Sequence, residues 1–330
     1  MRLCLVTGAA GFIGAHVAAR LARAGVKVVG CDEFNAYYDP RLKRDRVAAL
    51  LAPRDVECHA IDLSDAAATS AFLRRHGPFD AVVHLAAQAG VRHSIEAPMD
   101  YVRSNVAASV AVLQACADGK VGHVVYASSS SVYGSRTEAP FAESDRSDAP
   151  ASLYAATKQA GEAIAHSYAA VHALPVTGLR FFTVYGPWGR PDMAYFSFAQ
   201  RMRRGEPIPV FACGELLRDF TYVDDAVDAV VRLLERGPPR PASGVPAEVF
   251  NVGSHRPVKV LDFIASLERA VGRPAVIEFK PMQAGDVPLT CADPERLLAA
   301  IGPWARTSLD QGLENFARWL EAWDPLEARP

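Results

Sequence analysis

The sequence predicts an α/β fold: a doubly wound parallel Rossmann sheet joined to a smaller C-terminal substrate-binding lobe. Three observations carry this. Through the first half, short β-branched runs alternate with longer Ala/Leu/Arg segments of helical period, the pattern of parallel strands with crossover helices. A glycine-punctuated turn, 7–14, separates the first run from the first helical segment. Beyond residue 180 the rhythm changes, with Gly and Pro crowding into 186–191, 205–209 and 237–246.

Strands are expected over the short β-branched runs 3–6, 26–31, 56–61, 81–85, 121–128 and 176–179. Helices are expected between them over 12–24, 41–51, 65–76, 98–117 and 153–172. Such a sheet collects ligands at the carboxyl ends of its strands. A further helix at 224–234 and strand at 249–252 read as a return to the sheet. The expected division is therefore 1–180, rejoined by about 222–253, for a dinucleotide-binding domain, and 181–221 with 254–330 for the second lobe.

Composition narrows the function. With 330 residues, half of them apolar and 22% charged, the chain is in the range of globular proteins, and disordered or low-complexity classes are excluded. Its 35 basic and 37 acidic side chains provide no broad positive field for nucleic acid or an anionic membrane surface, so neither is an expected partner. No run approaches the ~18 apolar residues of a spanning helix. Cysteines 4, 31, 58, 116, 213 and 291 stand at least 27 positions apart, which suits reduced thiols in a cytoplasmic protein and offers no zinc pair; the histidines also lack metal-ligand spacing, so no metal is expected.

The turn Thr7-Gly8-Ala9-Ala10-Gly11-Phe12-Ile13-Gly14 is a variant of the dinucleotide fingerprint with one more residue in the turn. Its glycines let the backbone approach a pyrophosphate at a helix N-terminus. Asp32 closes the second strand 18 residues after Gly14, where a carboxylate accepts from adenosine ribose hydroxyls and repels a 2′-phosphate, favouring NAD over NADP. Asp62 after the third strand, and Ala86 and Ala87 after the fourth, stand along the remaining dinucleotide path.

Tyr154 and Lys158 project from one face of the 153–172 helix, and Ser129, in the run of serines 128–131, ends the fifth strand on the ligand side. A free phenol, with a pKa of about 10, is a poor base at neutral pH. A nearby ammonium and an oxidised nicotinamide both favour its phenolate, so Tyr154 can take an alcohol proton while Ser129 holds the same oxygen.

The glycine turn, Asp32, Ser129, Tyr154 and Lys158 together resemble the extended short-chain dehydrogenase/reductase superfamily, in its nucleotide-sugar epimerase/dehydratase group, over nearly the whole chain. Segments 35–40 (NAYYDP), 84–92 (HLAAQAGVR) and 180–194 (RFFTVYGPWGRPDMA) are most similar to the branch acting on UDP-glucuronate at carbon 4. His93 departs from the tyrosine expected of that branch. The resemblance implies tightly bound NAD, with Asn35, Leu63 and Gln88 adding to its site, and a UDP-sugar substrate oxidised transiently to a 4-keto sugar. It implies substrate contacts from Arg92, Ser130, Ser131, Thr183, Arg190, Arg218, Gln283 and Asp286, and a structural role for Asn105. Sister dehydratases and decarboxylases carry an acid at 130 or 131; serines there point to epimerisation without decarboxylation. The alternatives are a 4-epimerase of UDP-glucose or of a UDP-N-acetylhexosamine, and a non-catalytic dinucleotide sensor. A homodimer joined through helices 98–117 and 153–172 is also implied.

Overall fold

Apolar runs, buried on both faces in the inner strands, pair into the central sheet of the computed structural model, which describes residues 1–240, 244–282, 286–304 and 306–323. The chain runs β1 (Leu3–Thr7), α1 (Phe12–Arg23), β2 (Lys27–Asp32), α2 (Pro40–Arg46), β3 (Glu57–Ala60), α3 (Ala66–His76), β4 (Ala81–His84), and two single turns, α4 (His93–Glu96) and α5 (Pro98–Tyr101). It continues through α6 (Ala108–Asp118), β5 (His123–Ser129), α7 (Leu153–His172), β6 (Val176–Phe181), β7 (Thr183–Tyr185), α8 (Ala194–Arg204), β8 (Pro207–Phe211) and β9 (Leu217–Tyr222). The remainder comprises α9 (Val223–Arg236), β10 (Ala247–Val252), β11 (Pro257–Lys259), α10 (Val260–Val271), β12 (Val276–Lys280), α11 (Glu295–Ile301) and α12 (Leu309–Ala322).

Seven strands in the order β10-β6-β5-β4-β1-β2-β3 form one parallel sheet. The order reverses between β1 and β4, and the crevice beyond the strand carboxyl ends at such a switch is where ligands bind. Strand periodicity sorts the core into two faces. Cys4, Val6, Val83, Val125 and Leu179 pack with α1 and α9, and this cluster continues into α8, α10 and α12 of the second lobe. Leu5, Val82, Val124 and Val176 face the other way, against α3, α6 and α7. The expected return strand is β10, beside β6 in register from Ala247 to Val252. The second lobe adds a three-stranded sheet, β11-β9-β7, and a two-stranded one, β12-β8.

One helix differs from expectation. The segment 98–117 is not continuous: a π-helical turn, Val102–Ala107, separates α5 from α6. The wide turn carries Asn105, whose buried amide bonds Gln88 and Thr157 on two other elements, so tertiary hydrogen bonds outweigh regular helical geometry here. A second π-helical turn, Val47–Leu51, likewise ends the helix expected over 41–51. All six cysteines are free thiols. Among the described residues no helix is long and apolar enough to cross a membrane, and no group of His, Cys, Asp and Glu is arranged to hold a metal ion.

Candidate active site

A single cleft runs along the carboxyl ends of the sheet strands and under the second lobe. It is lined by Gly8, Gly11, Phe12, Ile13, Gly14, Asp32, Asn35, Asp62, Leu63, Ala86, Ala87 and Gln88 at one end. At the other end it is lined by Ser129, Ser130, Ser131, Tyr154, Lys158, Thr183, Arg190, Arg218 and Asp286. Of the residues expected from the sequence, Arg92 lies outside this lining: it is exposed and its guanidinium stacks on the Phe211 ring, 5.2 Å from the centroid. Gln283 lies outside the described residues.

The glycine turn fits a dinucleotide sterically. Gly8 has φ +67°, and a Cβ there would stand 2.8 Å from the Ala86 amide nitrogen. A Cβ on Gly14 would stand 2.1 Å from the Gly8 carbonyl oxygen, so only hydrogen allows α1 to approach the turn this closely. The cradle is thus bare backbone at a helix N-terminus. At the end of β2, buried Asp32 accepts from the Phe34 amide and from Lys43 Nζ at 3.0 Å, both on Oδ1. Lys43 also donates to Asn35 Oδ1. Sequence reading missed Lys43. Its signal was a lysine in the helix opened by Asp39-Pro40, close enough in sequence to fold back on the strand-end acid.

At the other end, β5 delivers Ser129 and α7 delivers Tyr154 and Lys158. Ser152 starts α7 by accepting from the Ala155 amide, which sets Tyr154 in the first turn beside the strand end. Lys158 is buried, donates to the Ala127 carbonyl at 3.0 Å and lies 5.9 Å from the Tyr154 ring centroid. Thr157 accepts from Asn105, so the asparagine braces this helix against the loop after β4. Ser129 Oγ accepts from the Ser131 amide and donates to Ser131 Oγ, which curls the serine run into the cleft.

Burial holds the Tyr154 phenol above its ordinary value, and a hydrogen bond with Ser129 and the Arg190 guanidinium oppose this only in part. Burial pushes the Lys158 ammonium down to about 8, against an opposing pull from Glu162. Arg190, a residue expected only as a substrate contact, is thus a second cation near the phenol, beside Lys158. Its guanidinium is held by Asp192 at 2.6 Å, and Asp192 accepts from the Tyr37 hydroxyl. Arg218 and Asp286, expected as separate substrate contacts, form an ion pair at 3.3 Å across the lobe side of the cleft. Behind Arg218, buried Asp219 accepts from the Ser254, His255 and Ala292 amides and so joins three lobe segments.

This arrangement can take a proton from an alcohol beside a nicotinamide and can bind a diphosphate near Arg218. A model of the NAD dependent epimerase/dehydratase family matches residues 4–253. A probable UDP-glucuronate 4-epimerase of Rhizobium meliloti is 44% identical over 329 residues, covering 96% of each chain. UDP-glucuronate 4-epimerase 3 of Arabidopsis thaliana is 47% identical over 326 residues, covering 96% of this chain and 75% of that one. The crystal structure of a UDP-glucuronic acid 4-epimerase from Bacillus cereus, in complex with UDP-glucuronic acid and NAD, superposes with a TM-score of 0.88 at 33% identity, covering 98% of this chain and 99% of that one. With the fingerprint turn, the doubly wound sheet and the matched span in agreement, the chain belongs to the NAD dependent epimerase/dehydratase family.

Proposed function

We propose that this protein is an isomerase that interconverts UDP-glucuronate and UDP-galacturonate, using NAD, through a transient 4-keto sugar and without loss of carbon dioxide. The observation that carries the reading is the meeting of Ser129, Tyr154 and Lys158 with three neutral hydroxyls, Ser130, Ser131 and Thr183, at one end of the cleft. Tyr154 accepts the proton of the sugar 4-hydroxyl and returns it, and Ser129 holds the same oxygen in line. Lys158 and Arg190 supply the positive charge that makes a phenolate accessible near neutral pH. Bound NAD would supply the hydride acceptor for carbon 4 and, once the 4-keto sugar has turned its other face, the hydride donor, so the cycle would have no net redox change.

A 4-keto-glucuronate is a β-keto acid, which loses carbon dioxide readily. Hydroxyls from Ser130, Ser131 and Thr183 suit a sugar carboxylate as neutral donors. No acid stands at 130 or 131 to work at carbons 5 and 6. Arg218 meets the diphosphate, exchanging its partner Asp286 for phosphate oxygens, with Asp286 turned to the uridine ribose. In this reading residues 1–180, rejoined by 222–253, hold tightly bound NAD, and 181–221 with 254–330 hold the nucleotide sugar. Two copies associate through α4 to α7, where Ile95, Met99 and Val171 are 66%, 70% and 73% exposed on adjacent helices.

Incubating the purified protein with UDP-glucuronate and no added cofactor, and following the anomeric protons by NMR, tests the reaction. UDP-galacturonate is expected, with no net NADH or carbon dioxide. A pentose product overturns the carboxylate-holding argument. Turnover of UDP-glucose alone overturns the substrate assignment.

A further inference from the structure

Arg46 is fully buried, and among the described residues no carboxylate lies within ion-pair distance of it. A buried guanidinium is costly to desolvate, so where its donors go is informative. Nε donates to the Trp188 carbonyl at 2.7 Å and Nη2 to the Gly189 carbonyl at 2.7 Å. Nη1 donates to the Ala10 carbonyl at 3.1 Å and to the Tyr38 hydroxyl at 2.6 Å, and the group stacks on the Tyr38 ring. One rigid plane thus joins the dinucleotide turn, the segment after β2 and the loop after β7.

That loop needs holding. Trp188 has φ +61°, a left-handed conformation unfavourable for a bulky residue, and it is backed by the rings of Trp319 and Trp323. The residue after Gly189 is Arg190, which lines the same cleft as Tyr154 and whose guanidinium is oriented by Asp192 and Tyr37. Moving the carbonyls of 188 and 189 therefore moves the base of the Arg190 side chain.

We infer that Arg46 is a positioning residue that ties the dinucleotide turn to the loop carrying Arg190 and so sets where the Arg190 charge stands relative to Tyr154. This rests on the epimerase reading for the reaction, and on geometry alone for the tie. The groups facing Tyr154 are Lys158 on its own helix, Ser129 at the end of β5, Arg190, and the Tyr101 ring of α5 at 6.1 Å. Of these, only Arg190 sits on the loop that Arg46 holds. Withdrawing its positive charge raises the phenol pKa, so the acid limb of the rate profile moves to higher pH.

The test uses the holoenzyme as purified, with Arg46→Met, Arg190→Ala and the double variant. Arg46→Met is expected to lower kcat by about 10²-fold, the scale of a small displacement of a catalytic group, with KM for UDP-glucuronate little changed. Its acid limb shifts up toward that of Arg190→Ala, and the double variant is no slower than Arg190→Ala alone. Added guanidinium ion restores part of the rate to Arg46→Ala. Multiplied losses in the double variant, or an unmoved acid limb, would show a merely structural role and overturn the inference. Should Arg46→Met not fold, Arg46→Lys and Tyr38→Phe each remove part of the same set of bonds, and an unmoved limb in both overturns it equally. Ultraviolet difference titration of the Tyr154 phenol, with Tyr154→Phe as blank, reads the tie without substrate. If wild type is silent on UDP-glucuronate yet Arg46→Met raises that titration, the substrate reading fails and the tie stands. If wild type turns over and the titration is unmoved, the reverse holds.

Discussion

At the scale of single residues, Lys158 is kept against its solvation preference. Burial lowers its pKa from 10.5 to about 8, so between those values the unfolded chain binds the proton more firmly than the folded one. Stability that is withheld below pH 8 is therefore recovered as pH rises to 10.5, by roughly 3 kcal/mol. Comparing wild type with Lys158→Met by denaturant unfolding of the cofactor-free protein should show wild type gaining by that order across this window. A pH-independent difference would contradict the desolvation. Thr183 makes a separate case: as a neutral donor to a carboxylate, its loss in Thr183→Val should weaken UDP-glucuronate by roughly 1.5–3 kcal/mol in kcat/KM while leaving UDP-glucose almost untouched. Equal losses on both sugars would remove Thr183 from the carboxylate. The placement of Ser129, Tyr154 and Lys158 was legible because a strand end and a helix start at fixed offsets bring them to the ligand side of the sheet. Lys43 and Arg46 were not, since a lone cation in a polar helix looks solvated until the fold buries it.

Elements show where local pattern suffices and where it does not. Helix α7 was legible to its limits, because Ser152 caps it and its period is unbroken to His172. The 98–117 segment has the same apolar period, yet Asn105 widens one turn to reach Gln88 and Thr157, and no residue within the segment announces that. The α1 turn is the opposite case: three glycines declare a close approach, and the structure shows the Gly14 hydrogen pointing at the Gly8 carbonyl. Gly14→Ala should therefore force α1 outward, costing about 1–3 kcal/mol of stability. It should also strip NAD during purification. Unfolding curves together with the nucleotide content of the purified protein check this; retained NAD at wild-type stability would mean that the turn yields without cost.

For the whole molecule, the exposed Ile95, Met99 and Val171 make a second copy the expected cover for the α4 to α7 face, in the isologous manner of most homodimers. Met99→Glu combined with Val171→Glu should give a monomer by light scattering with the circular dichroism of the sheet intact; an unchanged mass would place any interface elsewhere. Taken alone, the sequence determined the doubly wound sheet, the return of β10, the glycine turn after β1 and the meeting of Ser129, Tyr154 and Lys158 in one cleft. All of these follow from burial period and from residue types that one chemistry demands at fixed offsets along a strand or helix. Only the tertiary structure decided that Lys43 pairs with Asp32, that Arg218 pairs with Asp286, that Arg92 leaves the cleft for Phe211, and that Arg190 joins Lys158 and Tyr154 in the cleft. Those outcomes depend on loops distant in sequence meeting across the cleft, and the strength of a charge–charge contact depends on separation and burial, which no spacing along the chain encodes.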